Sequence, residues 1–302
     1  MKIFIDSAML EEIKEAISWG VIDGVTTNPS LIRKAVEKQK EMGEDVSLEQ
    51  YIGEICKVAG KERPVSLEVM SKKKDEMIGE AQTIFKKFNS ISRNVVVKIP
   101  INTFSNGDAT DYEGLMAINK LAGDGIPVNV TLVMTPEQAL LAAKAGAAYV
   151  SPFAGRIDDC IRQKMEINFK KNDYFDLELV RNISGKLFAH GFKNLTEEKI
   201  SSLYSDKKLK MTTNTQDGGI ASGVDCVRNT VDIFRKYDIK TEVIAASIRN
   251  SRQVREVADT CCEICTVPMA VIREMLKHPK TEEGVEKFYA DASEAKYDEL
   301  FT

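Results

Sequence analysis

Asn94-Val95-Val96-Val97-Lys98-Ile99-Pro100 is a run of β-branched apolar residues that closes on a lysine and a proline. Apolar runs of this length, without polar alternation, belong to strands covered on both faces, as in parallel sheets. The lysine stands at the carboxyl end, where open α/β sheets and α/β barrels carry their chemistry. A desolvated amine in that position loses part of its positive charge and becomes a nucleophile toward carbonyl carbon. Taken alone, the segment also suits a lysine that reaches from a strand end into solvent.

Similar short apolar runs recur along the chain at 2–6, 24–27, 65–69, 95–99, 128–131, 149–151, 242–246 and 263–267. Helical patterns fall between them, at 8–19, 30–37, 48–59, 73–88, 112–121, 136–145, 226–236, 253–259 and 268–276. Thr135-Pro136-Glu137 is a cap residue followed by proline at the first helical position, and Gly123 and Gly146 fall where helix ends want positive φ. Eight strands alternating with helices predict an α/β protein with a single (β/α)8 TIM barrel spanning the chain. A doubly wound open sheet is the alternative, but the first strand is followed by no glycine-rich fingerprint. The charged tail 280–295, with a Val285/Phe288/Tyr289/Ala292 stripe, reads as an extra C-terminal helix that packs on its own domain or docks on a neighbouring subunit.

The bulk properties narrow the function. With 302 residues, 43% hydrophobic and 29% charged, the chain has an ordinary globular composition. Its net charge of -4, with both signs interspersed and no basic block, argues against nucleic acid as a partner. The first residues form a strand pattern, not a signal peptide, and no run is long enough to span a bilayer. Six cysteines without framework spacing fit free thiols in a reducing cytoplasm. Cys261, Cys262 and Cys265 invite a metal reading, but no second pair accompanies them and the strand pattern around Cys265 favours core; no metal site is expected.

The strand ends deliver a polar set unlike ordinary core lining. They carry Asp6, then Thr26 and Asn28, then Glu68, Lys98, Asn129 and Thr131, then Ser151, Phe153 and Arg156, and finally Ser247 and Arg249. Each has a plain explanation by itself: Asp6 and Ser247 as caps, Asn28 as a turn residue before Pro29. One lysine, two carboxylates, amides, hydroxyls and two arginines at one end of a barrel are hard to explain as capping alone. The set suits Schiff-base catalysis. Lysine attacks a ketone, and the carbinolamine must lose water to give an iminium. Glu68 with Thr131, bridged by water, suits that proton traffic, and Asp6 suits removal of the hydroxyl proton whose loss breaks the carbon–carbon bond. Arg156, Arg249 and Ser247 offer a forked cationic site for phosphate. No metal or organic cofactor is called for, because the imine is itself the electron sink.

At these residues the sequence closely resembles the transaldolase family, including its short members and the related fructose-6-phosphate aldolases. The matching stretches are Ile5-Asp6-Ser7, Val25-Thr26-Thr27-Asn28-Pro29-Ser30, Ser66-Leu67-Glu68-Val69, Val97-Lys98-Ile99-Pro100, Val128-Asn129-Val130-Thr131, Ser151-Pro152-Phe153-Ala154-Gly155-Arg156 and Ala246-Ser247-Ile248-Arg249-Asn250. The similarity covers about residues 1–158 and 217–295, in the expected order. The resemblance implies Lys98 as the Schiff-base lysine, Asp6 as acid/base for cleavage, Asn28 as a hydrogen-bond partner of substrate, and sugar phosphates as ligands. Short relatives assemble into rings through their terminal helix, which implies a homo-oligomer here. Glu68 and Phe153 follow the transaldolase-like pattern; the aldolase-like one has glutamine and tyrosine. Cleavage of the fructose-6-phosphate aldolase type, transfer on a sulfonated sugar and a non-catalytic sugar-phosphate binder are the alternatives.

One segment breaks the rhythm. The connection after Arg156 runs to about Asp217, far longer than ordinary βα loops, and should lie near the barrel mouth. Helical stretches at 160–169, 177–187 and 196–204, with the lysine-rich 170–173 and 207–210, suggest a small helical insertion over about 160–215. It departs from the short family members, and Asp158 and Asp159 bring negative charge close to the phosphate end.

Overall fold

A computed structural model describes residues 1–43, 46–106, 109–192 and 219–301. Eight strands close into a parallel barrel: β1 (Lys2–Asp6), β2 (Gly24–Thr26), β3 (Val65–Glu68), β4 (Val95–Pro100), β7 (Val128–Val133), β8 (Tyr149–Pro152), β9 (Glu242–Ala245) and β10 (Ile264–Val267). Between β4 and β7 lies a small antiparallel pair, β5 (Ser105–Asn106) and β6 (Ala109–Thr110). Around the barrel the order is β1-β2-β3-β4-β7-β8-β9-β10, with β10 returning to β1. Each strand lies within two residues of the run read from sequence, because apolar runs covered on both faces leave little freedom in where a strand stops.

The core lies between the barrel and its helices. Val65, Val97, Ile99, Val130, Val150, Val243 and Val267 are fully buried there. Two helices begin just after strand ends with side-chain caps: Asn28 accepts from the Leu31 N–H before α2 (Pro29–Glu41), and Thr135 accepts from the Gln138 N–H before the helix Pro136–Lys144.

Two differences from the sequence reading bear on function. A helix over 154–164 (Ala154–Lys164) follows β8 directly, so Arg156, Asp158 and Asp159 stand in its first turns and the long connection starts only after Lys164. No side-chain cap opens this helix, and its second residue lies in close backbone approach: a Cβ on Gly155 would stand 2.0 Å from the Ser247 carbonyl oxygen. The helix Leu177–Phe192 is present, while the stretches 196–204 and 207–210 lie outside the described residues. The C-terminal helix Pro279–Glu294 buries none of its residues, and Val285, Phe288 and Tyr289 are 63%, 72% and 78% exposed. The stripe therefore does not pack on its own barrel.

Candidate active site

A cavity of about 460 Å³ opens at the carboxyl ends of the barrel strands. It is lined by all twelve residues singled out above: Asp6, Thr26, Asn28, Glu68, Lys98, Asn129, Thr131, Ser151, Phe153, Arg156, Ser247 and Arg249. Strand register explains the convergence. Residues paired across neighbouring strands share a face, and Asp6 pairs with Thr26, Glu68 with Lys98, and Lys98 with Asn129. The period of two then puts Thr131 on the same face as Asn129.

Lys98 is 6% exposed. Its Nζ lies 3.1 Å from Glu68 Oε2 and donates to the Thr27 carbonyl at 3.0 Å. The amine is thus ion-paired, not merely desolvated, so its proton must leave before it can attack carbon. Asp6 accepts from the Thr26 hydroxyl at 2.9 Å, and Thr26 in turn shares a hydrogen bond with Thr266. Burial pushes the Asp6 carboxyl above its ordinary range; the positive charge of Lys98 and the Thr26 hydrogen bond oppose that shift. A carboxylate so placed accepts a proton more readily than a solvated one.

Deeper down, Asn129 donates to Ser66 Oγ at 3.2 Å and accepts from Ser151 Oγ at 2.7 Å, so the three fix one another between β3, β7 and β8. Asn28 spends its Oδ1 on the helix cap, which leaves the amide hydrogens for a ligand.

On the opposite side, Arg249 Nη2 lies 2.7 Å from Asp159 Oδ2, and the other oxygen of Asp159 lies 3.0 Å from Arg162 Nη2. Asp159 thus ties Arg249 to the wall behind it. Arg156 is exposed and sits 5.0 Å from the Phe153 ring centroid.

Buried polar atoms are ordinarily paired, and exceptions need a cause. Thr131 Oγ1, Ser247 Oγ and Arg249 Nε are buried with no hydrogen-bond partner among the described residues. Two backbone positions next to them are strained: Leu132 has φ 59° and Ser247 φ 63°, in the left-handed region where β-carbon crowding is costly. The β7–β8 register also shifts between Val130 and Val133. Orphaned donors on strained backbone mark a surface arranged for something other than the protein itself.

Three polar lining residues outside the stretches that carried the resemblance escaped the sequence reading. Thr266 is the penultimate residue of the strand that was read only as core around Cys265; as an inward-facing residue near a barrel strand's end, it carried the same signal as Thr131. Lys34, on α2, and Lys171, on the connection after Lys164, had no such positional signal.

The family model described as "Transaldolase/Fructose-6-phosphate aldolase" matches residues 3–195 and 198–301. The match extends through most of 159–216, beyond the stretches that carried the resemblance. Among curated relatives, a "Probable transaldolase" of Caldicellulosiruptor saccharolyticus is 39% identical over 292 residues, covering 96% of each chain. Proteins of the same name from Thermodesulfovibrio yellowstonii and Thermoplasma acidophilum are 38% and 36% identical over 291 residues, covering 96% of this chain and 97% and 95% of theirs.

Proposed function

The chain belongs to the transaldolase/fructose-6-phosphate aldolase family, and on that premise we propose that it transfers a dihydroxyacetone unit from a ketose phosphate, fructose 6-phosphate or sedoheptulose 7-phosphate, to an aldose phosphate. The observation that carries this reading is the buried Lys98 amine, 3.1 Å from Glu68 in the cavity that Asp6 also lines.

Lys98 passes its proton to Glu68 and attacks the ketone carbon. Glu68, relayed by the Thr131 hydroxyl, returns a proton to the departing hydroxyl, so water leaves and the iminium forms. Asp6 then takes the proton of the C4 hydroxyl. The C3–C4 bond breaks, its electrons move to the iminium nitrogen, and an aldose phosphate leaves. The resulting enamine attacks the aldehyde of the acceptor, Asp6 returns its proton to the new alkoxide, and hydrolysis frees Lys98. Asn28 and Asn129 hold hydroxyls of the sugar. Arg156, Arg249 and Ser247 hold the terminal phosphate, which gives the orphaned Ser247 Oγ and Arg249 Nε their partner. Phe153 has no hydroxyl with which to protonate the enamine, so the intermediate waits for an acceptor, and this favours transfer over aldolase-type cleavage.

Reduction with borohydride in the presence of fructose 6-phosphate, followed by mass mapping, tests the reading. The adduct is expected on Lys98, and Lys98→Ala should abolish both adduct and turnover; trapping elsewhere, or none, overturns it. Assays with and without erythrose 4-phosphate separate transfer from cleavage. The exposed apolar stripe of Pro279–Glu294 supports a homo-oligomer, and the free thiols, four of them buried, suit a cytoplasmic setting.

A further inference from the structure

The connection that follows Lys164 begins with a turn held firmly against the barrel. Within the turn, the Lys170 N–H donates to Asp173 Oδ2 at 2.7 Å and the Asp173 N–H donates to the Lys170 carbonyl at 3.0 Å. From the barrel side, Asn250 Nδ2 donates to the Asn172 carbonyl at 3.3 Å and Arg162 Nη1 to the Asp173 carbonyl at 3.2 Å. Tyr174 donates to Glu256 at 2.7 Å, and the Arg162 guanidinium lies 4.0 Å from the Phe169 ring centroid. Arg162 is also the group that shares Asp159 with Arg249. The turn and the phosphate-site arginine therefore hang on one framework.

This framework places Lys171 in the lining of the active-site cavity, near enough for its charge to favour the ionised form of Asp6. A lysine held by its neighbours' backbone contacts, and not by an ion pair of its own with them, leaves its ammonium for an anionic ligand. Two other cations of the cavity are already partnered, Arg249 by Asp159 and Lys98 by Glu68.

We propose that Lys171 is a specificity-determining residue, whose ammonium binds the terminal phosphate of donor and acceptor alongside Arg156 and Arg249 and so selects phosphorylated sugars over neutral ones. This rests on the sugar-phosphate reading above and adds to it a cation from the long connection.

Full-length K171A, K171E and K171R proteins are titrated calorimetrically with inorganic phosphate and assayed with fructose 6-phosphate and with unphosphorylated fructose. Lys171 is exposed, and one exposed charge pair corresponds at most to about a fivefold change in affinity. K171A should therefore bind phosphate about fivefold more weakly, K171E more weakly still, and K171R nearly as the parent does. The KM for fructose 6-phosphate should rise by the same factor with kcat little changed, and the KM for fructose should not move. Parent-like phosphate binding by K171A, or equal rises in both KM values, overturns the proposal. Should the parent protein turn over no ketose phosphate, the function proposed above fails, and the phosphate titration still decides the part played by Lys171.

Discussion

Replacing Asp158 with asparagine probes how the wall behind Arg249 is held. Asp158 is 2% exposed; it accepts from the Gly223 N–H at 2.7 Å and from Gln253 Nε2 at 2.8 Å. Burial outweighs those hydrogen bonds and the nearby Arg162, and pushes the carboxyl up to about 7, with Asp159 and Glu256 adding repulsion. In an unfolded chain the same group titrates near ~3.9. Between those values the folded protein keeps a proton that the unfolded chain has released. Stability therefore falls as pH rises through this window and levels off above it. At about 1.4 kcal/mol per unit, the three units amount to about 4 kcal/mol, of which roughly 3 kcal/mol falls between pH 5 and 8.

Asparagine carries no such charge. Its amide cannot accept from both Gly223 and Gln253, so at pH 5, where the parent group is still protonated, D158N is less stable by about 1–3 kcal/mol. Its disadvantage should nevertheless shrink by roughly 3 kcal/mol from pH 5 to 8, because only the parent carries the ionisation penalty. Asp6, whose carboxyl is also raised, is present in both proteins and cancels in the difference. Urea midpoints at pH 5, 6, 7 and 8 at fixed ionic strength measure it. Parallel stability curves for the two proteins would refute the reasoning.

Two further substitutions act closer to substrate. In Gly155→Ala the new Cβ would stand 2.0 Å from the Ser247 carbonyl oxygen and 2.7 Å from Arg249 Nε, so both must shift. The expected cost is about 1–3 kcal/mol of stability, together with a raised KM for fructose 6-phosphate; an unchanged KM beside a lowered melting temperature would show that the contact is structural only. Phe153→Tyr places a hydroxyl in the cavity and should raise cleavage to free dihydroxyacetone at the expense of transfer, an effect read as the ratio of the two rates; an unchanged ratio counts against the role given to Phe153.

The barrel was legible because strands buried on both faces must be apolar throughout, and helices must intervene to cover them. Lys98 was legible for the same reason: a charged residue closing Val95-Val96-Val97 violates the local pattern, and such violations concentrate at functional sites. Other features left no such trace. Lys171 reaches the cavity because its neighbours Asn172 and Asp173 are held by Asn250, which is remote in sequence, and by Arg162. The helix after β8 includes Gly155 in its first turn despite glycine's poor helix propensity, and the close approaches of Gly155 to Ser247 and of Gly223 to Ala154 are tertiary contacts that local sequence does not show. The terminal helix showed its stripe, but periodicity identifies an apolar face without saying what covers it.

Capping and catalysis are not competing explanations for these residues. Asn28 uses its carbonyl oxygen to start α2, and that bond aims its free amide at the cavity with no further partner required. Arg249 is tied through Nη2 to Asp159, yet its Nε remains buried and unpaired. In each case one end of the side chain is fixed by the scaffold, so less side-chain entropy remains to be lost when the other end meets a ligand. The orphaned Thr131 and Ser247 hydroxyls extend this economy to the backbone, since strained φ values at Leu132 and Ser247 accompany them. The site draws its order from the same hydrogen bonds that end its strands and start its helices.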